Sequence, residues 1–353
     1  MILKKLALAV AVSSAVIVSA HAADRDRHDD GRGNAHEYGA SSFAFALIGD
    51  GPYGDAVEPA FDNMLTNINR DRTVEFVIHI GDVKSGGTEC SDERLIRRFN
   101  QLQQLRIPLI YTPGDNEWTD CHRANNGGYY PLERLQFIRD LFFPNPNFST
   151  GGHPMRVMTQ ANMAGYEQFV ENTMFMRNRV MFVQTHVVGS ANNLRPWSPY
   201  DPTDTAATPR ADRLAEYTAR NEANLVWLES AFATASSRGA AGLVVSMQAD
   251  MALEFANGDP ARLGFDDFLN KLFELTQAFG KPVLLVHGDS HLFRVDTPRL
   301  GPVWANPEPA IVVPTLTRVE TFGEGDEHWV KVNVDPRTPE VFAVSARIVP
   351  ENL

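Results

Sequence analysis

The chain has 353 residues, with 32 basic side chains against 44 acidic ones and a net charge of −12 when histidine is neutral. That balance argues against nucleic acid or an anionic membrane as a main partner. The length suits one large α/β domain.

Met1 to Ala22 reads as a secretory signal. Lys4 and Lys5 form the charged start, Leu6 to Val18 is an apolar stretch short for a bilayer span, and Ala20-His21-Ala22 is a small-residue cleavage site. A retained membrane anchor is the competing reading. Removal of the segment deletes two lysines and no acid, so the mature chain is more acidic still, and it is expected to be secreted or periplasmic. Residues 23–42, rich in Asp, Arg, His and Gly, read as a flexible leader, and residues 43–353 as the folded domain. No other apolar stretch is long enough to cross a membrane.

Four apolar runs then end in Gly-Asp. They are Ala-Leu-Ile-Gly49-Asp50, Val-Ile-His-Ile-Gly81-Asp82, Leu-Ile-Tyr-Thr-Pro-Gly114-Asp115 and Leu-Leu-Val-His287-Gly288-Asp289, and the last continues into Ser290-His291. Each reads as a buried strand of a parallel sheet. Glycine allows a sharp turn at the strand end, so each aspartate is expected at the carboxyl edge, where open α/β sheets keep their ligands. Helical segments alternate with these strands: Ser91 to Leu105, a helix opened by Pro131 and running through Phe142, Arg210 to Ser237, and Phe265 to Phe279. Arg179 to Val188 and Gly242 to Met247 read as further strands. His328 to Val334 and Glu340 to Ile348 suit antiparallel edge strands, such as those of a second sheet. Residues 143–165 and 189–209 are long loops of the kind that often carry function.

The two cysteines, Cys90 and Cys121, both lie in the exported part, each a few residues beyond a strand-end aspartate. In an oxidising compartment they are expected to be bridged, tying the two loops together; a two-cysteine zinc site is the competing reading. Four carboxylates and the imidazole of His291 on one rim would repel or desolvate one another unless a cation sat between them, so the pattern points to a metal centre.

The ordered segments Asp50-Gly51-Pro52, Gly81-Asp82-Val83-Lys84-Ser85, Gly114-Asp115-Asn116-Glu117, Ser246-Met247-Gln248-Ala249-Asp250 and Gly288-Asp289-Ser290-His291 resemble the motif series of the calcineurin-like metallophosphoesterase superfamily. That series runs D-x-H, G-D-x-x-D, G-N-H-[DE], a lone His after a strand, and G-H-x-H, and the likeness spans roughly residues 43 to 295. The resemblance implies a metallophosphoesterase-like α/β sandwich, two mixed sheets flanked by helices. It also implies a dinuclear centre bridged by Asp82, with Asp50 and His291 on one ion and Asp115, Asp289 and Gln248 on the other. The departures are Pro52, Ser85, Asp115, Asn116, Gln248 and Asp289, at positions where the family carries His, Asp, Asn, His, His and His. The oxygen-rich set favours Mn or Mg, with Ca also possible, over a zinc-type site.

Two cations in such a site neutralise phosphate oxygens, lower the pKa of a bridging water and align it for in-line displacement. The implied partner is a small-molecule or macromolecular phosphate ester. Asn116 stands where the family's leaving-group acid would be and cannot transfer a proton. His122 and Arg123, just beyond it, are candidates to face the phosphate, against the alternative of surface loop residues. Lys84, Asn192 and Asn193, with Arg195 and Trp197, are candidate substrate contacts. His79, His186 and His287 read as packed histidines. The leading expectation is an exported metal-dependent phosphoesterase. The alternative is a catalytically silent binding protein that keeps the fold, since six family positions are altered.

Overall fold

The computed structural model describes residues 41–302 and 310–353; the expected signal segment and residues 23–40 of the expected leader lie outside the described residues. In chain order the strands are β1 (Phe43–Ile48), β2 (Val74–His79), β3 (Pro108–Tyr111), β4 (Thr150–Gly151), β5 (Met158–Thr159), β6 (Thr173–Arg177), β7 (Val180–Gln184), β8 (Gly242–Ser246), β9 (Val283–His287), β10 (Arg294–Asp296), β11 (Arg299–Leu300), β12 (Ile311–Val312), β13 (Leu316–Glu320), β14 (Trp329–Val334) and β15 (Phe342–Arg347). The helices are α1 (Glu58–Arg70), α2 (Asp92–Leu102), α3 (Pro131–Phe142), the single turn α4 (Gly189–Asn192), α5 (Ala211–Ser237) and α6 (Asp266–Phe279).

Two large mixed sheets result, as the resemblance implies, and their strand orders are β15-β14-β1-β2-β3-β4 and β10-β13-β9-β8-β7-β6-β5. β1, β2 and β3 are parallel in the first, and β13, β9, β8 and β7 in the second. Alternation along each strand builds three apolar layers. Phe43, Phe45 and Leu47 of β1 join Phe76, Phe182, Val244 and Leu284 between the sheets. Ala46 and Ile48, on the other face of β1, pack with Phe61, Leu95 and Ile138 of α1, α2 and α3. Trp227, Leu228, Phe268 and Leu272 of α5 and α6 cover the outer face of the second sheet. The inter-sheet layer is aromatic: Phe45 stacks on Phe76 at 5.3 Å and meets Phe182 edge-on at 5.3 Å. Each such ring contributes about 1.5–3 kcal/mol by leaving water, which clamps the strand ends of both sheets to one rim.

Local chemistry sets the boundaries. The Ser91 side chain accepts from Arg94 N–H to cap α2, which ends at Leu102, short of the expected Leu105. Gly280 closes α6 at φ 63°. The expected strand from Arg179 to Val188 forms as the shorter β7, the second arm of a β6–β7 hairpin. Asn178 and Arg179 take φ of 43° and 64° as its two-residue turn, and the pairing stops at Gln184. β14 and β15 are antiparallel as expected but extend the first sheet beside β1. α1 was not anticipated; Pro59 at its start and Phe61, Met64, Leu65 and Ile68 on its buried face are the signals for it.

The disulfide expected from the sequence is formed: Cys90 and Cys121 are bridged with Cα atoms 5.7 Å apart, and both are fully buried. β2 and β3 are neighbours, so the bridge ties the loops that carry Asp82 and Asp115. From its sequence separation of 31 residues, the chain-entropy relation gives about 3–4 kcal/mol. The double variant Cys90→Ser/Cys121→Ser is expected to lose about that much stability in urea unfolding. A loss below about 1 kcal/mol would show that the loops are held by other contacts.

Candidate metal centre

Asp50, Asp82 and Asp115 follow β1, β2 and β3 of the first sheet, while Gln248, Asp289 and His291 follow β8 and β9 of the second. The rim is therefore shared between the sheets. Of the strand-end glycines, Gly81 makes the expected turn, at φ 96°. Asp50, Asp82 and Asp289 themselves take left-handed φ of 51°, 58° and 76°, a conformation aspartate tolerates. Gly114 and Gly288 are needed for close approach, since a Cβ there would lie 2.0 Å from Asp82 Oδ1 and 2.1 Å from Asp50 Oδ2.

Ligand atoms of Asp82, Asp115 and Asp289 all lie within 4.8 Å of one another. Asp50 lies alongside, with both carboxylate oxygens accepting from Asp289 N–H at 3.2 and 3.1 Å. His291 Nε2 is 3.9 Å from Asp50 Oδ1, and its ring meets Tyr53 edge-on at 5.1 Å. Burial and mutual repulsion hold the Asp50, Asp82 and Asp289 carboxyls well above the usual carboxylate range. A divalent cation fits the converging set, because it would offset that repulsion with oxygen ligands. Gly189 keeps the space beside it open: a Cβ there would lie 2.6 Å from Asp115 Oδ2 and 2.9 Å from Asp289 Oδ1.

Gln248, expected as a ligand, presents its donor end. Its Oε1 accepts from Gly189 N–H at 2.6 Å, and its Nε2 donates to Asp82 Oδ2 at 3.2 Å and Asp115 Oδ1 at 3.3 Å. Reversing the amide would set NH2 against N–H, so the orientation is fixed by Gly189. Asn116 likewise donates, from its backbone N–H to Asp82 Oδ1 at 3.1 Å and from Nδ2 to Asp82 Oδ2 at 2.8 Å. Tyr53 adds a hydroxyl donor to Asp82 Oδ2 at 2.9 Å. Beneath the rim, Glu117 Oε1 accepts from the N–H groups of Asp82 and Gly114 at 3.1 and 2.7 Å and from Tyr111 OH at 2.6 Å, pinning the two loops.

The centre opens into a cleft of about 380 Å³ lined by Tyr53, Asp82, Asp115, Asn116, Asp120, Arg123, Ser190, Arg195, Asp289 and His291, among others. Arg123 is held there by Asp120 Oδ2 at 2.7 Å, and Ser190 Oγ donates to Asp120 Oδ1 at 2.7 Å. Burial and the nearby Asp115 charge push the Asp120 carboxyl up to about 7. A larger cavity, about 910 Å³, opens at the opposite ends of β1 and β2 beside Ser42, Arg72 and Lys331. The converging carboxylates are in the smaller cleft, and that is where chemistry can occur.

Five expected contacts, Lys84, His122, Asn192, Asn193 and the fully buried Trp197, do not line this cleft. Lys84 is fully buried, its Nζ donating to Ser85 O at 2.8 Å; its charge faces Glu117, Asp82, Asp120 and Asp115, while burial pushes its pKa down to about 8. His122 is buried with Nδ1 donating to Thr119 O at 2.7 Å, and burial lowers its pKa. Asn192 Oδ1 accepts from Arg220 Nη1 while its Nδ2 donates to Gly264 O. Asn193 bridges Glu216 and Trp197. These side chains are committed to holding the loop. Tyr53, Asp120, Gly189 and Ser190 are the site residues that sequence reasoning missed. All follow strand ends within about ten residues, the one signal that marks them. His186 is packed as expected, its Nδ1 at 2.8 Å from Glu171.

Glu327, just before β14, is buried beside Gly51, and its Oε1 has no hydrogen-bond partner among the described residues. Burial, reinforced by Asp326 and Glu324 and opposed by Arg98, pushes its carboxyl up to about 8. The folded pKa is above the ordinary value of about 4.3, so stability falls as pH rises between the two. Glu327→Gln is expected to raise the thermal midpoint relative to the parent at about pH 8–9, with little difference near pH 5. A midpoint difference that does not change with pH would contradict this.

Solved structures with a related arrangement include one described as "GAP50 the anchor in the inner membrane complex of Plasmodium", 12% identical with a TM-score of 0.44, covering 87% of this chain and 89% of that one. Another is TT1561 of Thermus thermophilus, 12% identical with a TM-score of 0.42, covering 88% of this chain and all of that one. No protein-family model matches the chain, and no curated protein matches it. The functional reading rests on the chain's own residues.

Proposed function

We propose that the protein is an exported metal-dependent phosphoesterase. The observation that carries this reading is the convergence of Asp82, Asp115 and Asp289 at the floor of a polar cleft that also holds Arg123. A divalent ion held by those carboxylates, Mn or Mg by the hardness of the oxygens and Ca by the same chemistry, supplies charge neutralisation for phosphate oxygens and acidifies water. Arg123, pre-oriented by Asp120 and Ser190, offers a planar donor to a phosphoryl oxygen. Arg195, exposed on the same rim, adds positive charge for an anionic substrate. Tyr53 and Asn116 hold Asp82 in place by donating to it. The buried disulfide supports an oxidising compartment, and no helix among the described residues is long and apolar enough to cross a membrane.

The second reading, a silent binding protein, is favoured by one observation. Asn116 occupies the family's proton-donor position, and His122, the expected substitute, does not line the cleft. Hydrolysis of a panel of phosphomono- and phosphodiesters, with added Mn or with EDTA, separates the two. The phosphoesterase reading expects Mn-stimulated turnover that is lost in Asp289→Asn. It also expects Arg123→Ala to lower kcat/KM about tenfold or more, the cost of one charged hydrogen bond to substrate. Thermal stabilisation by Mn without turnover on any ester would favour the silent protein. Absence of both effects would defeat the metal reading altogether.

A further inference from the structure

The family resemblance implies two ions bridged by Asp82, but the donors around that carboxylate do not fit this arrangement. We propose that the centre takes one divalent cation per chain, among Asp82, Asp115 and Asp289, and that Tyr53, Asn116 and Gln248 replace the second ion by donating hydrogen bonds to Asp82. The inference rests on the reading that the centre binds a divalent cation at all.

An ionised carboxylate offers about four acceptor sites. Asp82 already meets four donors: Asn116 N–H on Oδ1 at 3.1 Å, and Tyr53 OH, Asn116 Nδ2 and Gln248 Nε2 on Oδ2 at 2.9, 2.8 and 3.2 Å. Oδ1 carries a single donor and can take one ion. Three donors crowd Oδ2, so a bridge between two ions would have to displace a short Tyr53 or Asn116 contact there, and the Asn116 amide would be left with its N–H dipole pointing at a cation. Gln248 cannot turn to offer oxygen instead, because Gly189 N–H already holds its Oε1 at 2.6 Å.

The other half of the implied pair is equally incomplete. Asp50 and His291 approach each other, with Nε2 at 3.9 Å from Oδ1, yet among the described residues no third carboxylate or imidazole joins them in the tight grouping that Asp82, Asp115 and Asp289 make. The single Asp289 N–H is shared between both Asp50 oxygens. Four amide or hydroxyl donors from three residues thus do for Asp82 what a second ion would do.

The test is equilibrium dialysis of the full chain against Mn at neutral pH, with the bound metal counted by mass spectrometry and its environment read by electron paramagnetic resonance. One ion per chain with the hyperfine pattern of an isolated centre is expected. Two ions per chain, or an exchange-coupled spectrum, overturns the inference while leaving the phosphoesterase reading intact. No bound ion overturns both. His291→Gly, which suits the local φ of 62°, is expected to keep the single ion, whereas Asp289→Asn is expected to lose it, each with an unchanged circular dichroism spectrum. A drop in stoichiometry or at least a tenfold loss of affinity in His291→Gly would place the ion at Asp50 and His291 and contradict the assignment.

Discussion

The repulsion among buried carboxylates at the strand ends governs this molecule. Asp50 and Asp82 are almost wholly removed from water and Asp289 is half-buried, and each is pushed toward its protonated form by burial and by its neighbours. A protein can relieve such crowding with protons, with internal hydrogen-bond donors or with a cation. This chain supplies the donors itself, through Tyr53, Asn116, Gln248 and the backbone N–H groups of Asn116, Asp250 and Asp289, and it leaves room beside Gly189.

The rest of the fold serves that crowding. The aromatic layer between the sheets fixes two sets of parallel strands with their carboxyl ends on one rim, so acids far apart in sequence face each other. The disulfide and Glu117 lock the loops after β2 and β3, which limits how far Asp82 and Asp115 can separate. The crowding is therefore maintained by packing and covalent linkage. Positioning of this kind is what a metal site requires, because ligands that must be ordered on binding cost conformational entropy.

Much of the fold was legible in the sequence because its signals are local. Buried parallel strands show unbroken apolar runs, and the Gly-Asp terminus of each run marked Asp50, Asp82, Asp115 and Asp289 without knowledge of the partner strands. The pairing of Cys90 with Cys121 followed from their being the two cysteines of a chain read as exported. What stayed hidden depends on contacts between distant segments. The direction of the Gln248 amide is decided by Gly189, on another strand's loop, and the commitment of Asn192 by Arg220 of α5. Lys84 looks like a loop cation in sequence; only the packing of the Glu117 loop over it shows that it is an internal charge. Placing β14 and β15 in the first sheet likewise depends on their pairing with β1, which alternation along a strand does not specify.

The central claim is that Asp82, Asp115 and Asp289 together hold a divalent cation. Anomalous diffraction from crystals grown with Mn, collected at the manganese absorption edge, tests it most directly. The account predicts a single strong peak within coordination distance of all three carboxylates. A peak elsewhere, or Mn-soaked crystals in which these side chains simply pair through shared protons, would contradict it.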